Sequence, residues 1–163
     1  MSKTAVIGGG SFGTVVANII ALNGHDVQFW MRSGELVNQV NQLHENKQYL
    51  PGYALSKQVV ATESMAEAVT GANLIFVAVP SSSFREVVKQ VVSFAPTDSM
   101  LISTTKGIEP DSFKLMSQIL SEESPGSKIG VLSGPNLAKE IAAKHPTGTV
   151  IASNFVEIRE SVK

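Results

Sequence analysis

The residues best suited to chemistry come at the very start of the chain. Thr4-Ala5-Val6-Ile7, a short apolar and partly β-branched run, leads directly into Gly8-Gly9-Gly10-Ser11-Phe12-Gly13. In the spacing Gly8-x-Gly10-x-x-Gly13, the first glycine permits a tight turn. The second lets backbone approach a pyrophosphate, and the third lets a helix pack closely on the strand. Val16, Ile19 and Ile20 follow at i, i+3 and i+4, which predicts an apolar helical face behind the loop. The unpaired N–H groups and positive dipole end of that helix would hold an anion by backbone alone, with the amides of Ser11 and Phe12 nearest. A glycine-rich turn with no function can be spelled the same way. The strand before the loop and the helix after it favour the dinucleotide cradle, formed by Gly8, Gly10, Ser11, Phe12 and Gly13.

About 20 residues further on, a domain that prefers NAD carries Asp or Glu to accept hydrogen bonds from the adenosine ribose 2′-hydroxyl. Here that position reads Trp30-Met31-Arg32-Ser33, and Glu35 lies further along. A guanidinium beside a hydroxyl is complementary to a 2′-phosphate instead, since arginine presents a planar fork of donors to phosphate oxygens. The expected cofactor is therefore NADPH (NADP), with NADH as the second candidate. The competing reading of Arg32 is a solvated surface arginine.

Three later stretches narrow the reading further. They are Val77-Ala78-Val79-Pro80-Ser81, Thr104-Thr105-Lys106-Gly107-Ile108-Glu109, and Leu132-Ser133-Gly134-Pro135-Asn136-Leu137-Ala138-Lys139-Glu140. Thr-Lys-Gly-Ile-Glu after one strand and Ser-Gly-Pro-x-x-Ala-x-Glu after the next, together with the glycine loop and Asn23-Gly24-His25, resemble bacterial NAD(P)-dependent glycerol-3-phosphate dehydrogenase. The resemblance spans essentially the whole chain and is weakest between Ser33 and Gln58. It implies reversible hydride transfer between dihydroxyacetone phosphate and sn-glycerol 3-phosphate, which supplies glycerol phosphate for phospholipid synthesis. It also implies cofactor contacts at Ser11, Phe12, Arg32, Tyr49 and Ala138, and substrate contacts at Gly134 and Asn136. Lys106 would contact both ligands and help stabilise alkoxide charge. Asn136 departs from the family, which often has Ser or Thr there, although an amide still donates and accepts. The family's proton-transfer lysine sits in an Ala-x-Lys-Asn setting early in a helical second domain, and no such sequence occurs before Lys163. Residues 1–163 are thus expected to be the cofactor-binding domain without its helical partner. The chain alone is expected to turn over little substrate, and an uncovered apolar face could support a homodimer.

The elements needed to position these residues follow from periodicity. Val27 to Trp30, Val59 to Ala61, Leu74 to Val79, Met100 to Ile102, Ile129 to Leu132 and Thr149 to Ile151 read as strands after the first. Between them lie helical patterns, of which the clearest is Phe84, Val87, Val88, Val91 and Val92. Another is Phe113, Met116, Ile119 and Leu120; shorter helices are expected at Met65 to Val69 and Leu137 to Ala143, and Phe155, Ile158 and Val162 start a last one. Ser33 to Lys57 reads as a helix followed by a loop. Alternating strands and helices predict an α/β fold, a doubly wound and mostly parallel sheet of Rossmann type, in which Lys106 and Gly134 fall at carboxyl ends of strands.

Composition removes other classes. Lysine plus arginine number 13 against 14 acidic residues among 163, so the basic excess that drives nucleic-acid binding is missing. No apolar run approaches the roughly 20 residues of a membrane span, and the start of the chain lacks a signal-peptide pattern, so a cytoplasmic protein is expected. There are no cysteines, and His25, His44 and His145 fit no short metal motif. His44 and His145 are expected at the surface. Two alternatives stay open. One keeps the fold but changes substrate, as in ketopantoate reductases or 6-phosphogluconate dehydrogenases; the other is a nucleotide-sensing module without catalysis. The ribose reading predicts that the chain binds NADPH more tightly than NADH and that Arg32→Asp reverses the order. Fluorescence titration with both cofactors checks it, and equal binding by the unmutated chain would sink it.

Overall fold

The computed structural model describes residues 3–163. Its first strand, β1 (Lys3–Ile7), lies inside a seven-stranded sheet and is covered on both faces. Ala5 and Ile7 point into one core and Val6 into the other, the period-two division that a doubly covered strand requires.

From β1 the chain passes through α1 (Ser11–Leu22) to β2 (Val27–Trp30), then α2 (Gly34–Leu43) and β5 (Val59–Thr62). It then crosses back through α3 (Met65–Val69) to β6 (Ala72–Val77) on the other side of β1. Next come α4 (Ser81–Phe94), β7 (Met100–Ser103), α5 (Met116–Glu123) and β8 (Lys128–Ser133). The chain ends with α6 (Ala138–Ala142), β9 (Val150–Ala152) and α7 (Val156–Ser161). The sheet order is β5-β2-β1-β6-β7-β8-β9, parallel throughout except for β9. This is the expected doubly wound arrangement. Its order reverses between β1 and β6, which opens a crevice at the carboxyl ends of those strands.

The two faces are covered by different helices. α3, α4 and α5 bury Met65, Phe84, Val88, Met116 and Ile119 against Ile7, Ile75, Val77 and Leu101. On the other face, α1 and α2 bury Val16, Ala17, Leu36 and Val40, and Ile158 of α7 reaches Ile102. The stripe predicted on α4 is found as predicted, with Phe84, Val88 and Val91 fully buried.

Several expectations change. The segment read as helix then loop adds a small antiparallel pair, β3 (Glu45–Asn46) with β4 (Leu50–Ala54). Short polar strands carry no alternating apolar signal, and here pairing is helped by Gly52 N–H donating to Glu45 Oε1 at 2.8 Å. The strand expected through Val79 stops at Val77, and Pro80 caps α4. Phe113, expected on the buried stripe of α5, lies outside that helix. It has φ 57° and is 74% exposed, because the turn holding Glu109 to Ser112 swings it outward. His44 is half-buried rather than superficial; it caps α2 in the left-handed region, and its Nδ1 is enclosed without a partner. The helical face of α1 is only partly covered, since Ile19 stays 41% exposed.

These placements predict that Phe84→Ala loses about 3–5 kcal/mol of unfolding free energy. Phe113→Ala should lose less than about 0.5 kcal/mol. Urea denaturation of the two variants checks both, and similar losses would contradict the assignment.

Candidate functional site

The glycine loop is held by close backbone packing. Gly8 has φ +125°, and a Cβ there would run into the Ala78 carbonyl oxygen; a Cβ on Gly13 would strike the Gly8 carbonyl oxygen. Both obstacles are backbone, so neither can yield cheaply. Gly10 differs: a Cβ built on it meets nothing within 4 Å, which is the open space an anion needs to approach the backbone there. Gly10 caps α1, whose first turn has no acidic side chain, so its positive end remains available to an anion.

A buried side chain that the sequence reading did not single out fixes this loop. Asn46, fully buried, donates to the Gly9 carbonyl at 2.9 Å and to Thr14 Oγ1 at 2.8 Å. Thr14 Oγ1 in turn donates to the Gly10 carbonyl at 2.8 Å. Asn46 Oδ1 accepts from the Tyr49 N–H at 3.3 Å, and Ser11 Oγ donates to the Tyr49 carbonyl at 2.6 Å. The β3–β4 hairpin is thereby pinned over the loop. The available hint was an asparagine in a polar stretch that also holds Asn38 and Asn41, a residue type common in turns.

Gly8, Gly10, Arg32 and Tyr49 line one cleft of about 350 Å³, with Ser33, Gln48 and Val79. Arg32 is exposed and, among the described residues, has no carboxylate partner. Ser33 Oγ accepts from the Leu36 N–H at 3.4 Å and caps α2. Ser11 borders the cleft through its bond to Tyr49. Phe12 divides its roles. Its amide belongs to the first turn of α1, whereas its side chain lines a different, larger and more apolar groove of about 590 Å³ with Val16, Ile19, Leu74 and Phe76. That groove lacks the loop's backbone donors, so the smaller cleft is the better anion site.

The remaining predicted residues form a second cluster at the ends of β7 and β8. Lys106 Nζ donates to the Gly134 carbonyl at 2.8 Å and to Asn136 Oδ1 at 2.9 Å. Asn136, buried, also donates to Thr149 Oγ1 at 3.2 Å. Gly134 has φ +147°, and a Cβ there would meet the Gly148 backbone. Two of the three ammonium donors are thus engaged and the third is open. Ala138 starts α6 next to this cluster and lines neither concavity. Thr104 and Thr105 connect the clusters: Thr104 N–H donates to the Val77 carbonyl at 2.9 Å, and Thr105 Oγ1 to the Val79 carbonyl at 2.7 Å. No three His, Asp or Glu side chains among the described residues are grouped to hold a metal ion.

A charged clamp lies behind Lys106. Arg85 of α4 grips Glu109 in two parallel hydrogen bonds of 2.7 and 2.8 Å and also contacts Glu122 at 3.0 Å and Glu123. Bidentate geometry of this kind fixes the loop's orientation as well as its charge. The guanidinium, with help from Ser112, holds the Glu109 carboxyl down to about 2.

The family model for the NAD-dependent glycerol-3-phosphate dehydrogenase N-terminus matches residues 3–158. The chain belongs to this family. A family protein from Alcanivorax borkumensis named glycerol-3-phosphate dehydrogenase [NAD(P)+] is 50% identical over 161 residues, covering 99% of this chain and 47% of its own length. Its counterpart from Bacillus velezensis is 42% identical over 166 residues, with coverage of 100% and 48%. Among solved structures, glycerol-3-phosphate dehydrogenase from Coxiella burnetii superposes with a TM-score of 0.92 at 28% identity, covering 99% of this chain and 49% of that one. The chain spans about half the length of the relatives it matches.

The clamp has a testable pH signature. A folded-state pKa depressed from 4.5 to about 2 gives Glu109 a stabilising contribution that is present above pH 4.5 and is lost as pH falls toward about 2. The stability difference between the parent chain and Glu109→Gln should therefore be largest near neutrality and shrink across that window. Chemical denaturation at a series of pH values measures it; a difference that does not change with pH would refute the clamp.

Proposed function

We propose that this chain is the cofactor-binding half of an oxidoreductase that interconverts dihydroxyacetone phosphate and sn-glycerol 3-phosphate, with NADPH or NADH as the hydride carrier. The observation that carries the reading is the pairing, at one sheet edge, of a backbone anion cradle open above Gly10 with a lysine fixed by Gly134 and Asn136. The names of the relatives support both the dinucleotide and the glycerol phosphate assignment.

The residues fit the dinucleotide. The amides of Ser11 and Phe12 and the end of α1 would hold the pyrophosphate, Arg32 and Ser33 the adenosine ribose side, and Tyr49 the rim above them. The nicotinamide supplies the hydride. Lys106, with two donors engaged by Gly134 and Asn136, would use its open ammonium donor to bind the anionic substrate and stabilise negative charge developing on the carbonyl oxygen. Asn136 orients that lysine: its amide oxygen accepts from Nζ while its amide nitrogen is tied to Thr149. The place held in much of the family by a Ser or Thr hydroxyl is filled here by a group that keeps an acceptor facing the lysine. Ala138 contributes through the start of α6 beside Asn136.

The setting proposed is cytoplasmic, with glycerol phosphate going to phospholipid synthesis. No helix among the described residues is long and apolar enough to cross a membrane. A homodimer through the apolar groove beside α1 belongs to the same proposal.

Titration of NADPH, with and without dihydroxyacetone phosphate, tests the reading. The chain should bind NADPH, and Gly10→Val should abolish binding while leaving the melting temperature nearly unchanged, because the added side chain occupies ligand space only. Dihydroxyacetone phosphate should alter NADPH affinity in the parent chain and not in Lys106→Ala. Binding without any such coupling would favour the sensing module instead.

A further inference from the structure

The strand β2, which ends at Trp30 just before Arg32, carries no carboxylate, yet the sheet brings one to the same edge from its neighbour. β2 and β5 run parallel with Trp30 opposite Thr62. Beyond that pair, the Met31 N–H donates to the Thr62 carbonyl at 3.0 Å, and Trp30 Nε1 donates to the Glu63 carbonyl at 2.9 Å. Glu63 is thereby fixed by its backbone next to the Met31-Arg32 step.

Its side chain turns toward the start of α2. A Cβ on Gly34 would lie 2.9 Å from Glu63 Cδ and 3.1 Å from Oε1, so the carboxylate fits against Gly34 only because that residue has no side chain. Gly34 directly follows Arg32 and Ser33, which line the cleft. Glu63 is exposed, and among the described residues no donor or cation engages its carboxylate oxygens. Among the described residues nothing uses this acceptor.

We propose that Glu63 is a specificity-determining residue for the adenosine ribose, acting against Arg32. Its carboxylate accepts a hydrogen bond from a free 2′-hydroxyl and repels a 2′-phosphate, so the site admits both cofactors instead of excluding NADH. The carboxylate that dinucleotide folds usually take from the second strand comes here from the strand beside it. The proposal rests on the dinucleotide reading above and adds to it a residue and a sign.

The experiment is cofactor titration of Glu63→Gln. NADPH should bind roughly fivefold more tightly, the scale of one unit charge acting over several ångströms in water, while NADH binds equally or more weakly. The gain for NADPH should fade as salt is raised, because exposed charges are screened. Gly34→Ala, which displaces the carboxylate without removing it, should shift the NADPH to NADH ratio in the same direction. If Glu63 served only to stabilise the start of α2, the variant would melt lower and the ratio would not move. An unchanged ratio, or a gain for NADPH insensitive to salt, overturns the proposal and leaves the dinucleotide reading intact. Failure of the parent chain to bind either cofactor overturns both.

Discussion

The close approach of three backbones around Gly8 governs the rest of the site. The end of β1, the first turn of α1 and the Ala78 carbonyl occupy space in which a Cβ at position 8 or 13 would collide with another main chain. That packing brings α1 down onto the sheet and points its free N–H groups into the crevice beside β6. It also sets what the neighbouring segments must do. Val77 and Val79 are held from the far side by Thr104 and Thr105, so the glycine loop and the Lys106 loop share one rigid strip of backbone.

The polar groups around the loop are resolved by the hairpin. α1 itself takes up the Gly10 carbonyl but leaves that of Gly9 without a helix partner, and burying it unpaired would cost about 1–3 kcal/mol. Asn46 satisfies the Gly9 carbonyl, and Thr14 satisfies that of Gly10. The hairpin is therefore part of the cradle, although it lies more than thirty residues away along the chain.

How much of this was legible from the sequence depended on whether a residue's role was local. Strand-to-glycine-to-helix punctuation is local, and the doubly wound, mostly parallel sheet and the Phe84 to Val91 stripe were readable, whereas the strand order came only with the pairing of the strands. Phe113 was misread because periodicity cannot register a turn set by Glu109 and Ser112. Asn46 and Glu63 were missed for a different reason. Their partners are fixed by the hairpin and by the pairing of β2 with β5, and neither leaves a pattern in the residues nearby. Lys106 was readable only through its motif; the two acceptors that orient it sit 28 and 30 residues downstream.

The electrostatics of the site follow from its openness. Arg32 and Lys106 are both exposed, and at about 4 Å in water a unit charge pair is worth only about 1 kcal/mol. Charge alone therefore holds an anion weakly here. The backbone donors of α1 depend less on charge and more on being already in place, since their orientation is fixed before a ligand arrives. Lys106 gains in the same way: with two N–H groups bound to Gly134 and Asn136, its third donor points in a set direction and loses less rotamer freedom on binding, a saving of the order of 0.5–1.5 kcal/mol for such a side chain. A wall that excluded water from this edge would strengthen each of these contacts without moving any of them. The geometry is thus already in the chain, and the dielectric is what closure would change.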